Sequence, residues 1–195
     1  MNAKSSKTSE TTVTELMIPS YANFGGKIHG GILLSMMDKV AYACATKHSG
    51  MYCVTVAIDN VIFREPVEVG ELVSMRAKIN YVGNSSMEVG IIVYAENVKK
   101  GITKHTNTSY FTMVAKDEKD NVVQVPELIL ETKVEVRRFV EAIYRKKHNK
   151  QYQDEVIRQK ENFNLMESME ILKNQRCKIE LPTWLQQIFT LNDFS

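Results

Sequence analysis

The stretch from Asn23 to Asp38 constrains this chain more than any other. It reads Asn-Phe-Gly-Gly-Lys-Ile-His-Gly-Gly-Ile-Leu-Leu-Ser-Met-Met-Asp. A glycine-dense loop passes directly into an apolar run, and the run carries a lone carboxylate. Gly30 and Gly31 have no side chains, so a ligand can approach the backbone there. Ile32, Leu33, Leu34, Met36, Met37, Val40 and Ala41 follow one another too closely for a one-sided surface helix. The spacing predicts a helix over 31–47 that is buried on most of its faces, with Ser49-Gly50 as its stop. Asp38 inside such a helix is costly to desolvate unless it is paired or used. It lies seven residues after Gly31, about two turns on, so the first-turn amides and Asp38 share one helix face. Helix-start amides polarise a carbonyl, and a buried carboxylate activates a nucleophile. The combination is what carbonyl chemistry needs.

Around this helix the pattern is mostly strand. Residues 12–18 read as a short strand entering the loop at 19–27. After the helix, 54–63 is β-branched and apolar, with Pro66 closing it. Gly70 opens the next strand, 72–82. Gly83-Asn84 reads as the turn into 87–96, where Val89, Ile91, Val93 and Ala95 alternate. Residues 103–115 form a further strand, and 117–121 are a polar break. One strand, one long helix and four strands at hairpin spacing predict an α+β fold with an antiparallel sheet, because short turns cannot connect parallel strands. A long apolar helix against a curved sheet is expected to lie inside it.

The composition then shifts. Val134, Val136, Phe139, Val140, Ile143 and Tyr144 lie among Arg137, Arg138, Arg145, Lys146 and Lys147, which reads as an amphipathic basic helix. Residues 151–173 are more polar at roughly helical intervals, and Pro182-Thr183-Trp184 starts an apolar tail. The expected organisation is a flexible N-terminus over 1–11, a globular domain over 12–130 and a helical extension over 131–195. The first dozen residues, rich in Lys, Ser and Thr, read as a frayed terminus.

Of the 195 residues, 44% are hydrophobic and 25% charged, with a net charge of +2, so nothing argues for nucleic acid or a membrane as partner. The three cysteines, Cys44, Cys53 and Cys177, lack metal-like spacing, and an odd number fits a disulfide framework poorly. A reducing cytoplasm is the expected compartment. The N-terminus shows no basic-plus-apolar leader, and no apolar run approaches the length of a membrane span. No metal cluster, serine triad or P-loop is found, so no metal and no separate cofactor are expected.

Several blocks resemble the hotdog-fold acyl-CoA thioesterases. The first is Asn23-Phe-Gly-Gly-Lys-Ile-His-Gly-Gly followed by Met36-Met37-Asp38-Lys39-Val40-Ala41. The others, in order, are Val54-Thr-Val-Ala-Ile-Asp59, Phe63-Arg-Glu-Pro-Val-Glu-Val-Gly70 and Gly83-Asn-Ser-Ser-Met-Glu-Val89. The strand Tyr110-Phe-Thr-Met-Val-Ala115 and Val125-Pro126 also fit. The likeness covers about 12–128 and is greatest to bacterial acyl-CoA hydrolases that resemble the mammalian cytosolic long-chain enzyme. It implies a sheet wrapped around the central helix, a homodimer with active sites at its seam, and often three dimers in a hexamer. Many relatives carry Arg where this chain has Asn84. Some carry a helical extension with paired arginines, as Arg137-Arg138 here.

The implied reaction is hydrolysis of a fatty acyl-CoA, with CoA present only as part of substrate and product. The resemblance makes Asp38 the general base or nucleophile and has Asn23 orient water or hold the carbonyl. The amides near Gly30 and Gly31 supply the oxyanion hole. His29 is assigned a positional role beside the substrate. Gly83, Asn84, Ser85 and Ser86 offer amides and hydroxyls to pantetheine or phosphate. The basic face of 137–147 either attracts CoA phosphates or is simply solvated. Two other readings stay open. One is a hotdog hydratase or dehydratase that uses His29 and Asp38 as an acid/base pair. The other is a non-catalytic module that binds acyl-CoA or a nucleotide.

Overall fold

Two antiparallel strands with strict alternation set the architecture. In the computed structural model, which describes residues 2–59 and 61–180, β1 is Lys4–Ser5, β2 Thr11–Leu16, α1 Gly30–Ser49 and β3 Tyr52–Asp59. Then follow β4 Leu72–Val82, β5 Ser86–Asn97, β6 Ile102–Lys116, β7 Leu128–Ile129, α2 Lys133–Glu161 and α3 Leu165–Leu172. Val73, Met75, Ala77 and Ile79 of β4 and Met87, Val89, Ile91, Val93 and Ala95 of β5 are all buried on one face. A one-residue register slip would turn every one of them to the other side, so burial fixes the pairing. The main sheet has the order β2-β4-β5-β6-β3, antiparallel throughout, as the hairpin spacing predicts. A parallel pair, β1 with β7, adds a small second ladder.

The helix α1 packs against strands from β2 to β6. Leu33, Met37, Val40, Ala41, Cys44, Ala45 and His48 are buried, a stripe at intervals of three and four. The expectation of burial on most faces is therefore corrected for the single chain. Ile32, Leu34 and Met36 are only partly covered, and Tyr42 is 40% exposed. The helix ends at Gly50, whose φ of 73° is the left-handed conformation that favours glycine at a C-terminal cap. Met17, Met37, Met75, Met87 and Met113 are buried in the core, where unbranched thioethers fill the irregular space between helix and sheet.

Strand β3 stops at Asp59, shorter than the run 54–63 suggested. Ile62 and Phe63 are 62% and 43% exposed. Their apolar character thus serves an uncovered surface rather than a ladder. Strand β3 is also an edge strand, with Tyr52, Val56 and Ile58 exposed.

The N-terminal residues are not frayed. Ser6 and Ser9 are fully buried, and the Ser6 hydroxyl donates to Glu135 Oε1 at 2.6 Å. Composition misleads here because a small hydroxyl side chain buries readily once its hydrogen bond is made. Glu135 is the hub of this corner. Its Oε2 accepts from the amides of Glu131 and Thr132, both at 2.9 Å, while Thr132 Oγ1 accepts from the Glu135 amide at 3.2 Å. This reciprocal pair starts α2 as a capping box.

By its internal contacts the chain divides after Arg145, so the first turns of α2 belong to the compact unit that holds the sheet. There Phe139 packs on Tyr81 with ring centroids 4.8 Å apart, and Ala142 is buried. Arg145 makes a two-pronged pair with Glu88, 2.6 and 3.1 Å, and lies 3.6 Å over the Tyr110 ring. The second unit, 146–195, contains the rest of α2 and α3, which Asn164 caps by accepting from the Met166 and Glu167 amides. The apolar tail from Pro182 lies outside the described residues. Among the described residues, no helix is long and apolar enough to cross a membrane.

Two outcomes test this account. The Ser6 hydrogen bond, with the other donors, holds the Glu135 carboxyl down at about 2 from 4.5. The folded chain therefore favours the ionised form. That stabilisation is complete above pH 4.5 and is lost as pH falls toward 2. Glu135→Gln should flatten this part of the acid limb in urea denaturation; an unchanged limb would contradict the assignment. Arg145→Met leaves Glu88, 7% exposed, without its counter-charge. It should cost about 3 kcal/mol in a urea midpoint analysis.

Candidate active site

The glycine-dense loop is shaped by Asn23. Its amide donates to the Lys27 carbonyl at 2.7 Å, and its Oδ1 accepts from the Gly25 and Lys27 amides at 2.9 and 3.2 Å. Gly26 completes the turn with φ 74°. The carbonyl half of the Asn23 side chain is thus spent on its own loop, and the NH2 half is the donor left to reach a ligand. The loop is fixed to the segment after β3, because Ile28 donates to the Val67 carbonyl at 2.9 Å and Lys27 pairs with Glu68.

His29 caps α1. Its Nδ1 accepts from the Gly31 amide at 2.9 Å, so the neutral ring carries its proton on Nε2. This settles where the two glycines stand in the single chain. The Gly31 amide is engaged by His29, and a Cβ on Gly31 would lie 3.0 Å from that same Nδ1. No described residue accepts from the Gly30 amide. Gly30 also packs on Phe63, whose ring would stand 3.2 Å from a Cβ there.

Asp38 is partly buried on α1 and forms no ion pair with Lys39 among the described residues. Its partner is Thr55, whose Oγ1 donates to Asp38 Oδ1 at 2.6 Å. A β-bulge lies between Thr55 and Ala57, where β3 slips against β6. Thr55 precedes that bulge and still pairs with Met113, so regular alternation from buried Cys53 turns its hydroxyl toward α1. Thr55 was not singled out from the sequence. The available signal was a polar β-branched residue two positions after buried Cys53, on the face turned toward α1.

The turn at Gly83–Ser86 is tied down by backbone. Gly83 donates to the Ser86 carbonyl at 2.7 Å, while the Asn84 and Ser85 carbonyls accept from Val125 and Ala115 at 2.9 and 3.1 Å. The Asn84 side chain remains exposed. No hydrogen bond joins this turn to Asn23, His29 or Asp38 in the chain, and none joins Asn23 to Asp38. Among the described residues no cluster of three or more His, Cys, Asp or Glu is disposed to hold a metal.

The spacing along α1 has a chemical consequence. Eight residues from Gly30 to Asp38 rise about 12 Å. A reacting carbonyl must sit within about 3–3.5 Å of both its oxyanion donor and its attacking group. The amides and the carboxylate of one helix are therefore too far apart to touch one carbonyl group directly, although they share a face.

The thioesterase superfamily matches residues 25–102 of the chain. Protein VdlD of Helicobacter pylori is 46% identical over 131 residues, which span 67% of this chain and 75% of that protein. A solved apo-hexameric acyl-CoA thioesterase superposes with a TM-score of 0.76 at 32% identity, covering 78% of this chain and 98% of that one. The acyl-CoA hydrolase of Staphylococcus aureus, solved with butyryl coenzyme A, coenzyme A and coenzyme A disulfide, gives 0.74 at 29% identity, covering 82% and 97%. That hydrolase has also been solved with one asparagine, one aspartate and one threonine each replaced by alanine. Those three residues are 15 and 17 positions apart, the same spacings that separate Asn23, Asp38 and Thr55. The chain belongs to the thioesterase superfamily, within its hotdog-fold acyl-CoA thioesterases.

Proposed function

We propose that this protein hydrolyses acyl-CoA to a free fatty acid and CoA at sites built by two chains. The observation that carries this reading is the helix rise of about 12 Å between the Gly30 amide and Asp38. Two antiparallel copies of α1 bring the start of one helix beside the Asp38 of the other. The free edge of β3, with Tyr52, Val56 and Ile58 exposed and Tyr42 beside Tyr52 at 6.2 Å, is the edge across which a second chain continues the sheet. Three such dimers form the hexamer, by analogy with the hexameric relative.

In each site the Asn23 NH2 and the Gly30 amide of one chain polarise the thioester carbonyl. Asp38 of the other chain, held at Oδ1 by Thr55, takes a proton from water on its free oxygen. Water oxygen bonds to the carbonyl carbon, the tetrahedral oxyanion rests on the amide donors, and the C–S bond breaks as the departing CoA thiolate takes up the proton held by Asp38. CoA enters as part of the substrate, and no separate cofactor is required. His29 keeps its Nδ1 for the Gly31 amide, so it positions the helix start and does not serve as a base. The exposed Asn84 and the partly buried Ser85 offer polar groups to the pantetheine or phosphate end. Free cysteines fit a reducing cytoplasm.

Thiol release from an acyl-CoA chain-length series tests the activity directly. Asp38→Asn should lower turnover by about 100-fold or more with acyl-CoA binding largely kept; near-normal turnover would exclude the mechanism. Thr55→Val should lower kcat by about tenfold while KM changes little, because the carboxylate loses its anchor but the substrate contacts remain. Mixed dimers test the shared site. Asn23→Ala and Asp38→Ala homodimers should each be nearly inactive, and a verified mixed dimer should regain up to about half the wild-type activity, since one of its two symmetric sites is intact. Mixed dimers as inactive as their parents would show that the residues do not act across the seam.

A further inference from the structure

The face of the sheet turned away from α1 holds a cavity of about 510 Å³, walled on one side by α2. Residues on this face alternate with the core positions and are mostly polar or small, with Ile92 and Tyr110 among them. Asn80, 5% exposed, lies at the cavity, and its Nδ2 reaches Glu88 only at 3.4 Å. Gly90 lies against it, and a Cβ on Gly90 would sit 2.2 Å from Asn80 Nδ2. A glycine here keeps the space open and gives the Asn80 amide room. Where a helix docks on a sheet, apolar side chains normally fill this layer. Phe139 and Ala142 fill it on one side, and the hollow remains on the other.

The lining is cationic. Arg76 and Lys78 rise from β4, and Arg137 and Arg138 descend from α2, against the carboxylates of Glu10 and Glu141. Lys78 is committed to Glu135 at 3.1 Å, with Glu10 at 3.8 Å, and Arg137 pairs with Glu141 at 3.4 Å. Arg76 is exposed, and among the described residues its side chain has only the Tyr94 ring, 5.9 Å away. Arg138 is partly buried and has no ion pair or hydrogen bond among the described residues. A half-covered guanidinium without a counter-charge, facing a second one across a hollow of ligand size, is an unsatisfied arrangement. Its planar donors match the oxygens of a phosphate, which they can bind two at a time.

We propose that this cavity is a phosphate-recognition site, in which Arg138 and Arg76 clamp a phosphate group from opposite walls and the Asn80 amide bonds one of its oxygens. The sheet separates it from Asp38, so the phosphate it holds is not beside the thioester reacting in the same chain. Its bearer is either a free phosphorylated small molecule or the phosphate end of a CoA. The inference stands apart from the proposed hydrolysis, because its test is binding.

Inorganic pyrophosphate is titrated by calorimetry into the full-length protein, and into Arg138→Gln and Arg76→Gln variants checked by thermal melting. Neither side chain anchors the core, so both variants should fold. Saturable binding that each substitution weakens by about tenfold or more, with Arg158→Gln on the exposed part of α2 unaffected, is the expected result. The Michaelis constant for acyl-CoA then identifies the bearer. A parallel rise in the Arg138→Gln variant assigns the site to CoA phosphate, and an unchanged value assigns it to a separate phosphorylated molecule. Either value supports recognition of phosphate here. Absence of saturable heat up to about 10 mM pyrophosphate, or binding that both variants leave intact, would overturn the proposal.

Discussion

The pitch of one helix governs the chemistry of this chain. An α-helix advances about 1.5 Å per residue, and no side-chain adjustment brings its first turn to a carboxylate eight residues further along. Each end of the site is nonetheless well made. The loop at Asn23 is held by its own carbonyl oxygen, and His29 fixes the helix start. Thr55 holds Asp38 through a 2.6 Å hydrogen bond. The two ends are prepared separately within the chain. Preorganised dipoles of this kind contribute to catalysis because they need not reorient when charge develops.

Helix α2 is a different construction. Its first turns are locked to the sheet by polar contacts in covered positions: the Glu135 hub with Ser6 and Lys78, and the Arg145 pair with Glu88. Ion pairs of this kind add less net stability than apolar packing, since both partners lose water, but they are unforgiving once formed. They hold its first turns against the sheet. The same choice of polar over apolar side chains leaves the neighbouring layer incompletely filled, and the cationic hollow is the result.

Much of this was legible in the sequence because it rests on periodicity. The alternation of β4 and β5, the apolar run of α1 and the short turns announced an antiparallel sheet around a helix. Asn23, His29, Gly30 and Asp38 stood out because glycines and a lone carboxylate in an apolar run are unusual. Thr55 escaped notice because threonine in a strand is ordinary. Alternation with Cys53 turns it toward α1, but no local pattern says that Asp38 stands opposite it. The N-terminal residues were misjudged because composition weighs side chains one at a time, whereas Ser6 is buried by a carboxylate 129 positions away. The burial of α1 was overestimated because apolar spacing does not say which faces of a helix the chain's own strands will cover.

Strand β3 bears two duties that are usually kept apart. Its inward side carries Thr55, which holds the Asp38 carboxylate, and its outer edge carries the uncovered Val56 and Ile58. Adjacent residues therefore answer to unrelated pressures, and the bulge is the joint between them. A change in the edge that twisted the strand would shift the hydroxyl with it. The exposed edge and the placement of the Asp38 carboxylate are therefore inherited as one trait.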